Sequence, residues 1–265
     1  MPPKKDEDNL AVRIRQLNLD TIPPNSKNMW DEKQGGCKIV VIGKPGTGKT
    51  TLIESLLYHK KHIFPCGMVF NGTEDATDFY SRIFPEAFIY SRLEEEKFKE
   101  FKKRQILARK YIKNPWAILI VDDCTDDPKI FRKPFMQEIF KNGRQWKMNF
   151  ILSLQYCMDL LPVIRNSIDM TFILRDTQLS NRKKLWENYA GCVPDFETFC
   201  TIMDEVTGDR TALVIDNMVD TGSWQDRIFW YKADPSKVKD FKMGSNDYWN
   251  FNLQRYNEDS VNKIV

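Results

Sequence analysis

Long apolar runs are missing from this 265-residue chain, and no stretch reaches the about 18 residues that a membrane-spanning helix needs. The opening residues, MPPKKDEDN, lack the apolar centre of a secretory signal. Histidine is scarce, so only His59 and His62 could help build a metal site. The six cysteines, at positions 37, 66, 124, 157, 192 and 200, form no CxxC pair. They read as free thiols of a reducing compartment, which places the chain in cytosol or nucleus. A surplus of one charge is lacking too. Forty Lys and Arg stand against 37 Asp and Glu, a net charge of +3. Composition alone therefore demands no polyanionic partner, and a basic surface would have to be concentrated on one face. There is no internal repeat and no low-complexity segment.

What is present is an alternation of short apolar runs with amphipathic stretches. Residues 1–36 are polar, hold Pro2, Pro3, Pro23 and Pro24, and end in Gly35-Gly36. They read as an N-terminal arm, with an edge strand between Val12 and Leu19. From Cys37 the texture changes: CKIVVI is a continuous apolar run of strand length, the pattern of a strand buried on both faces. Further strands are expected at Gly67–Phe70, Ala87–Tyr90, Ala117–Val121, Asn149–Leu154, Met170–Leu174, Thr211–Ile215 and Ile228–Tyr231. Helices are expected after Lys49, over Leu93–Lys113, from Pro134 to Asn142-Gly143, and near Leu179–Ala190 and Asp195–Val206. This alternation implies an α/β fold: a three-layer, mostly parallel central sheet flanked by helices. Residues 37–233 would form that domain and 234–265 a C-terminal extension.

The first strand runs directly into Gly43-Lys44-Pro45-Gly46-Thr47-Gly48-Lys49-Thr50, with Thr51 next. A phosphate is best held by several backbone N–H groups aimed the same way. Glycines permit the tight turns that aim them, and the following helix adds the positive end of its dipole. The pattern is that of a P-loop. Lys49 is expected on the β- and γ-phosphates of ATP and the Thr50 hydroxyl on Mg²⁺. Asp122 closes a buried strand and is the second expected metal contact, direct or through water. Asp123 beside it either orients and deprotonates the attacking water or caps a turn. Asp126 and Asp127 are nearby acids that suit a turn. Gln155 ends the strand Asn149–Leu154. If that strand neighbours Asp122's, the amide faces the phosphate edge; otherwise it bonds backbone. Arg144, after the helix stop, is exposed enough to reach a neighbouring subunit or to form a surface ion pair, and Arg165 is a second such candidate. Lys102, Lys103 and Arg104 are a candidate basic patch on the charged helix.

The order of GKPGTGKT at 43–50, ILIVDDC at 118–124, NGRQWKMNFILSLQY at 142–156 and LPVIRNSIDMTFIL at 161–174 resembles the packaging ATPases of nucleocytoplasmic large DNA viruses and virophages. These belong to the FtsK–HerA branch of P-loop ATPases, and the resemblance spans about residues 37–233. It implies a RecA-like core with a catalytic strand inserted beside the P-loop strand, and a homo-oligomeric ring that drives double-stranded DNA into a capsid with ATP. It implies capsid or portal-vertex partners, no membrane span, and a place at the virus assembly site in the host cytoplasm or in the virion. Under the resemblance Lys49 and Thr50 match Walker A, Asp122 and Asp123 match Walker B, Gln155 matches the polar sensor and Arg144 the arginine finger. A second domain of clustered acids is missing, so terminase-like cutting is not expected. A nucleotide-dependent switch or scaffold and a small-molecule kinase are the alternatives. A GTPase is disfavoured, because no N-K-x-D motif follows the strands.

Overall fold

A computed structural model describes residues 14–124, 128–220, 222–259 and 264. The expected strand near the N-terminus is a two-residue element, β1 (Arg15–Gln16). The apolar run after Cys37 is β2 (Lys38–Ile42), buried at every position. Ile39, Val40, Val41 and Ile42 are β-branched, which suits a strand packed on both faces. Each such side chain contributes about 1.5–3 kcal/mol on full burial.

Helix α1 (Lys49–Lys60) follows the glycine-rich loop, then β3 (Cys66–Asn71), α2 (Glu74–Ile83), β4 (Ile89–Tyr90) and α3 (Glu95–Tyr111). Next come β5 (Ala117–Asp122), α4 (Pro134–Asn142) and β6 (Met148–Leu154). Pro134 occupies the first turn of α4, where its missing N–H leaves no hydrogen bond unmade. A short turn of helix, α5 (Pro162–Arg165), leads to β7 (Met170–Ile173). The chain continues through α6 (Leu179–Tyr189), α7 (Phe196–Val206), β8 (Thr211–Asp216), β9 (Ile228–Lys232) and α8 (Asn246–Arg255). The Asp195 carboxylate caps α7 by accepting from the Thr198 amide at 2.8 Å, as its place before an amphipathic run suggests.

All the described strands join one sheet in the order β1-β9-β8-β7-β2-β6-β5-β3-β4. The pairs from β7 through β4 are parallel, and β8 runs antiparallel to both of its neighbours. The sheet is thus mixed but mostly parallel, with flanking helices. Two consequences place the site. From β2 the chain travels to β3, three positions away, and β6 later fills the gap next to β2. The connection from β6 to β7 then crosses to the other side of β2. A crevice at the carboxyl end of β2 is the result, the usual ligand position in such sheets.

Residues 14–36 lie against the domain. Leu17, Leu19 and Ile22 are buried, and β1 pairs with β9. Buried Lys60, at the end of α1, donates to the carbonyls of Ile22 and, at 3.1 Å, Pro24. Burial lowers its pKa to about 8. Between that value and the unfolded lysine's roughly 10.4, the unfolded chain binds a proton that the folded chain does not, so this group adds stability as pH rises. The stability gap between wild type and Lys60→Met should therefore move by up to about 3 kcal/mol in favour of wild type from pH 8 to 10.5. Urea unfolding of both proteins at the two pH values checks it, and a constant gap would contradict it.

After β9 the chain returns to the far side of the sheet. The Met243 amide donates to Ile83 O at 2.9 Å and the Ser245 amide to Pro65 O at 2.8 Å. The buried Tyr248 hydroxyl donates to Gly67 O at 2.6 Å. No helix among the described residues is long and apolar enough to cross a membrane. All six cysteines are free.

Candidate active site

The loop 43–48 leaves β2 between the ends of two strands. The Gly43 amide donates to Leu154 O at 3.1 Å, and the Leu174 amide donates to Ile42 O at 2.9 Å. Within the loop the Thr47 hydroxyl donates to Lys44 O at 2.7 Å, and Lys44 pairs with Asp176 at 3.0 Å. Gly46 and Gly48 have φ of 76° and 101°, values that side-chain-bearing residues adopt at a cost. Gly48 begins α1 in the left-handed conformation. The amides of Gly46, Gly48, Lys49, Thr50 and Thr51 find no acceptor among the described residues. An array of unmet N–H groups at a helix start is the cradle that a phosphate chain fills.

Lys49 is buried, and its Nζ donates back to Gly43 O at 2.8 Å. Burial lowers its pKa, while the carboxylates of Asp123 and then Asp122 act in the opposite direction. Lysine and the two acids thus share one crevice, although 73 positions separate Lys49 from Asp122. Strand order brings them together. β6 lies between β2 and β5, with Ser153 opposite Val41 on one side and Asp122 on the other.

Asp122 is 4 % exposed, and burial raises the pKa of its carboxyl. Its Oδ2 accepts from the Tyr80 hydroxyl at 2.9 Å. Asp123 turns off the strand with φ of 54°, a region that aspartate tolerates better than most residues. The turn needs room: a Cβ on Gly72 would sit 2.2 Å from Asp123 O. Gln155 Nε2 donates to Asp123 Oδ2 at 2.5 Å. The other oxygen, Oδ1, is buried without a partner, while the Ser153 hydroxyl lies against the Asp122 carboxylate. Buried polar atoms left unpaired in a native site point to a missing ion or water. Oxygen donors of this kind suit Mg²⁺ with its water shell, so the residues present fit the metal expected at Thr50 and Asp122. Thr50 is exposed at the first turn of α1.

The structure thus brings together Lys49, Thr50, Asp122, Asp123 and Gln155 and leaves two arginines elsewhere. Arg144 precedes β6 and Arg165 precedes β7, so both lie at the amino edge of the sheet. That edge is about 16 Å of strand away from the loop. Arg144 is 53 % exposed in its side chain and sits 3.8 Å from Asp169. It lines a cleft of about 500 Å³ with Arg109, Lys141, Lys147, Lys33 and Glu32. Arg165 is tied down locally, donating to Leu160 O at 2.7 Å. Asp126 and Asp127 lie outside the described residues.

The basic patch does not form. Lys102 pairs with Glu138 on α4, Arg104 turns towards Gln105, and Lys103 alone points to solvent. Consecutive helical residues are about 100° apart, so three in a row cannot share a face. Two site residues escaped the sequence reading, Tyr80 and Ser153. Tyr80 sits on α2, a helix that was not expected. Ser153 carried the only available signal, as a polar residue within the apolar strand that ends at Gln155.

No family model matches the chain. Protein 075L of Invertebrate iridescent virus 6 is 47 % identical over 253 residues, covering 95 % of this chain and 97 % of its own. Protein 015R of Frog virus 3 is 37 % identical over 250 residues, 94 % of this chain and 77 % of its own. Protein L437 of Acanthamoeba polyphaga mimivirus is 33 % identical over 229 residues, 83 % and 79 %. Among solved structures, B204, the DNA-packaging ATPase of Sulfolobus turreted icosahedral virus, aligns with a TM-score of 0.54 at 17 % identity. That alignment covers 76 % of this chain and 99 % of B204. The conjugation coupling protein TcpA of pCW3 aligns with a TM-score of 0.54 at 12 % identity, over 84 % and 72 %. At such identities the shared property is the fold, a RecA-like P-loop NTPase. By these relatives the chain belongs to a viral protein family shared by Invertebrate iridescent virus 6, Frog virus 3 and Acanthamoeba polyphaga mimivirus, and its fold is that of a P-loop NTPase.

Proposed function

We propose that this chain is an ATP-hydrolysing motor subunit that moves double-stranded DNA into a viral capsid as part of a ring of like chains. The observation that carries the reading is the opposition of Lys49 to the Asp122, Asp123 and Gln155 group across the inserted strand β6. B204 of Sulfolobus turreted icosahedral virus, which shares the fold, is described as a DNA-packaging ATPase, and the B204 of Sulfolobus turreted icosahedral virus 2, described as a genome packaging NTPase, has been solved with ATP-gammaS. Place and partners follow from the same reading: the virus assembly site in the host cytoplasm, and capsid or portal-vertex proteins.

In this account the amides of residues 46–51 hold the phosphate chain and Lys49 leaves Gly43 O for its terminal phosphates. Thr50 and Asp122, the latter directly or through water, would hold Mg²⁺, which when bound would neutralise charge on the phosphate oxygens. Tyr80 fixes the Asp122 carboxylate. Asp123 accepts the proton of the attacking water, and Gln155 holds Asp123 and meets the γ-phosphate side. Transfer to water needs no second substrate pocket. DNA would be gripped through its phosphates, because base-specific contacts would stall a motor. Binding to mixed-sequence duplexes should therefore weaken steeply with salt and show little sequence preference. Tight binding to one sequence, insensitive to salt, would contradict a translocating grip.

Arg144 supplies the test of the ring. It is too far from its own loop to touch its own nucleotide, yet it is exposed in a cleft rich in cations. Lys33, Arg109 and Lys141 in that cleft have no carboxylate in ion-pair range among the described residues. A neighbour's triphosphate suits it, and an arginine acting in trans is worth about 10³–10⁵ in turnover. Arg144→Ala should bind ATP and hydrolyse it slowly. Mixed oligomers of Arg144→Ala with Lys49→Ala should regain activity, since an intact arginine then faces an intact loop. No recovery in demonstrably mixed oligomers would contradict action in trans.

A further inference from the structure

On the side of the loop away from the two acids, the turn between α7 and β8 leans on the phosphate cradle. Its residues are Thr207, Gly208, Asp209 and Arg210. A Cβ placed on Gly48 would lie 3.1 Å from Arg210 Cγ, 3.4 Å from its Cβ and 3.6 Å from its Cα. Arg210 is therefore packed on the glycine that starts α1, whose amide belongs to the unmet array.

The backbone there is strained. Asp209 and Arg210 have φ of 42° and 61°, and two successive residues with side chains in the left-handed region are unusual. Such strain persists only where the surroundings enforce it, and it collects at functional sites. The enforcement is visible. Arg175, just past the end of β7, donates from Nη1 to Thr207 O at 2.6 Å. The Thr211 amide donates to Gly208 O at 2.8 Å, and the Ala233 amide to Arg210 O at 3.2 Å. Lys232 holds the Asp209 carboxylate at 2.6 Å, so that acid is already engaged. The Arg210 guanidinium has no carboxylate in ion-pair distance among the described residues, and the side chain is exposed. A rigid turn thus presents an exposed, permanently charged fork beside the N–H groups of the loop.

We propose that Arg210 is a nucleotide-binding residue that contacts the phosphate chain of the nucleotide held by its own subunit's loop, with Arg175 as the residue that positions its turn. The inference rests on the reading of loop 43–51 as a nucleotide site and adds a contact that the motif does not contain. It divides the cations by subunit: Lys49 and Arg210 act on the chain's own nucleotide, Arg144 on a neighbour's. It also gives β8 and β9 a role, since their connection to α7 carries the residue.

The test is a titration of mant-ADP with Mg²⁺ into wild type, Arg210→Asn and Arg210→Lys, with the nucleotide-free Tm of each protein measured alongside. Asparagine tolerates the left-handed backbone, so the turn survives in Arg210→Asn. The expected result is mant-ADP affinity about tenfold weaker in Arg210→Asn, the loss of one charge-assisted contact. Arg210→Lys should recover part of it, and Tm should stay as in wild type. Equal affinity in wild type and Arg210→Asn would overturn the proposal. So would a loss of affinity accompanied by a fall in nucleotide-free Tm, which would make Arg210 a structural support of the turn. A wild type that fails to bind mant-ADP would remove the nucleotide site itself, a different failure from the loss of this one contact.

Discussion

Asp123→Asn should bind ATP and Mg²⁺ as wild type does and lose hydrolysis, with kcat lower by about 10²–10⁴, the usual contribution of a positioned base. The substitution is a clean one. Asparagine is the residue that best tolerates the φ of 54° found at this position, and its amide oxygen can still accept from Gln155 Nε2. The crevice keeps its shape while the group that takes a proton disappears. Asp122 and Thr50 remain to hold the metal. Equilibrium binding of a fluorescent ATP analogue, beside single-turnover phosphate release, separates the two effects. Normal hydrolysis by Asp123→Asn would move the water-activating role to another residue, Asp126 being the nearest acid in sequence.

Lys49→Ala should fail one step earlier. Lys49 is a buried cation facing Asp123 and Asp122, and an anion arriving in the loop would meet two carboxylates without it. Turnover should fall by at least about 10²–10³, the loss typical of removing one preorganised donor from a developing charge. ATP affinity should fall with it, which distinguishes this variant from Asp123→Asn. Alanine is a good helix former at the start of α1, so the fold should persist and Tm change little. Wild-type turnover in folded Lys49→Ala would refute the assignment of the loop.

What the sequence made legible was local. CKIVVI, the glycine spacing and the apolar run ending in Asp122-Asp123 each carry their meaning within a few residues, because strand burial, tight turns and strand ends are short-range properties. The partnership of Gln155 with Asp123 was legible only conditionally. It depends on β6 lying beside β5, and strand order is set by packing that periodicity does not encode. Tyr80 was not legible. Its helix presents Phe79, Tyr80 and Ile83 to the core, too short a pattern to announce a helix, and its partner Asp122 is 42 positions away. Arg210 was hidden twice over, by distance from the loop and by a left-handed turn made without glycine at two of its positions. The expectation of a patch at Lys102, Lys103 and Arg104 failed for a reason the sequence did contain. Neighbours along a helix point in different directions, and the buried Phe98, Phe101, Gln105 and Ala108 already fix which side faces in.

The arginines show a different limit. Arg144 stands out in sequence because it follows a helix stop and precedes a strand, and Arg165 because it lies in the stretch LPVIRNSIDMTFIL that carries the family resemblance. In the structure Arg144 lies at the amino edge, 3.8 Å from Asp169, and Arg165 is engaged by Leu160 O. The proposed roles of Arg144 and Arg210 are complementary, one at each end of the strands.

Steady-state phosphate release by the assembled wild type, with and without mixed-sequence duplex DNA and at low and moderate salt, tests the motor reading most directly. The account predicts hydrolysis that needs Mg²⁺, rises on addition of duplex whatever its sequence, and loses that stimulation as salt displaces the DNA. An assembled protein whose hydrolysis ignores duplex DNA at low salt, alone and with its capsid partner, would contradict it.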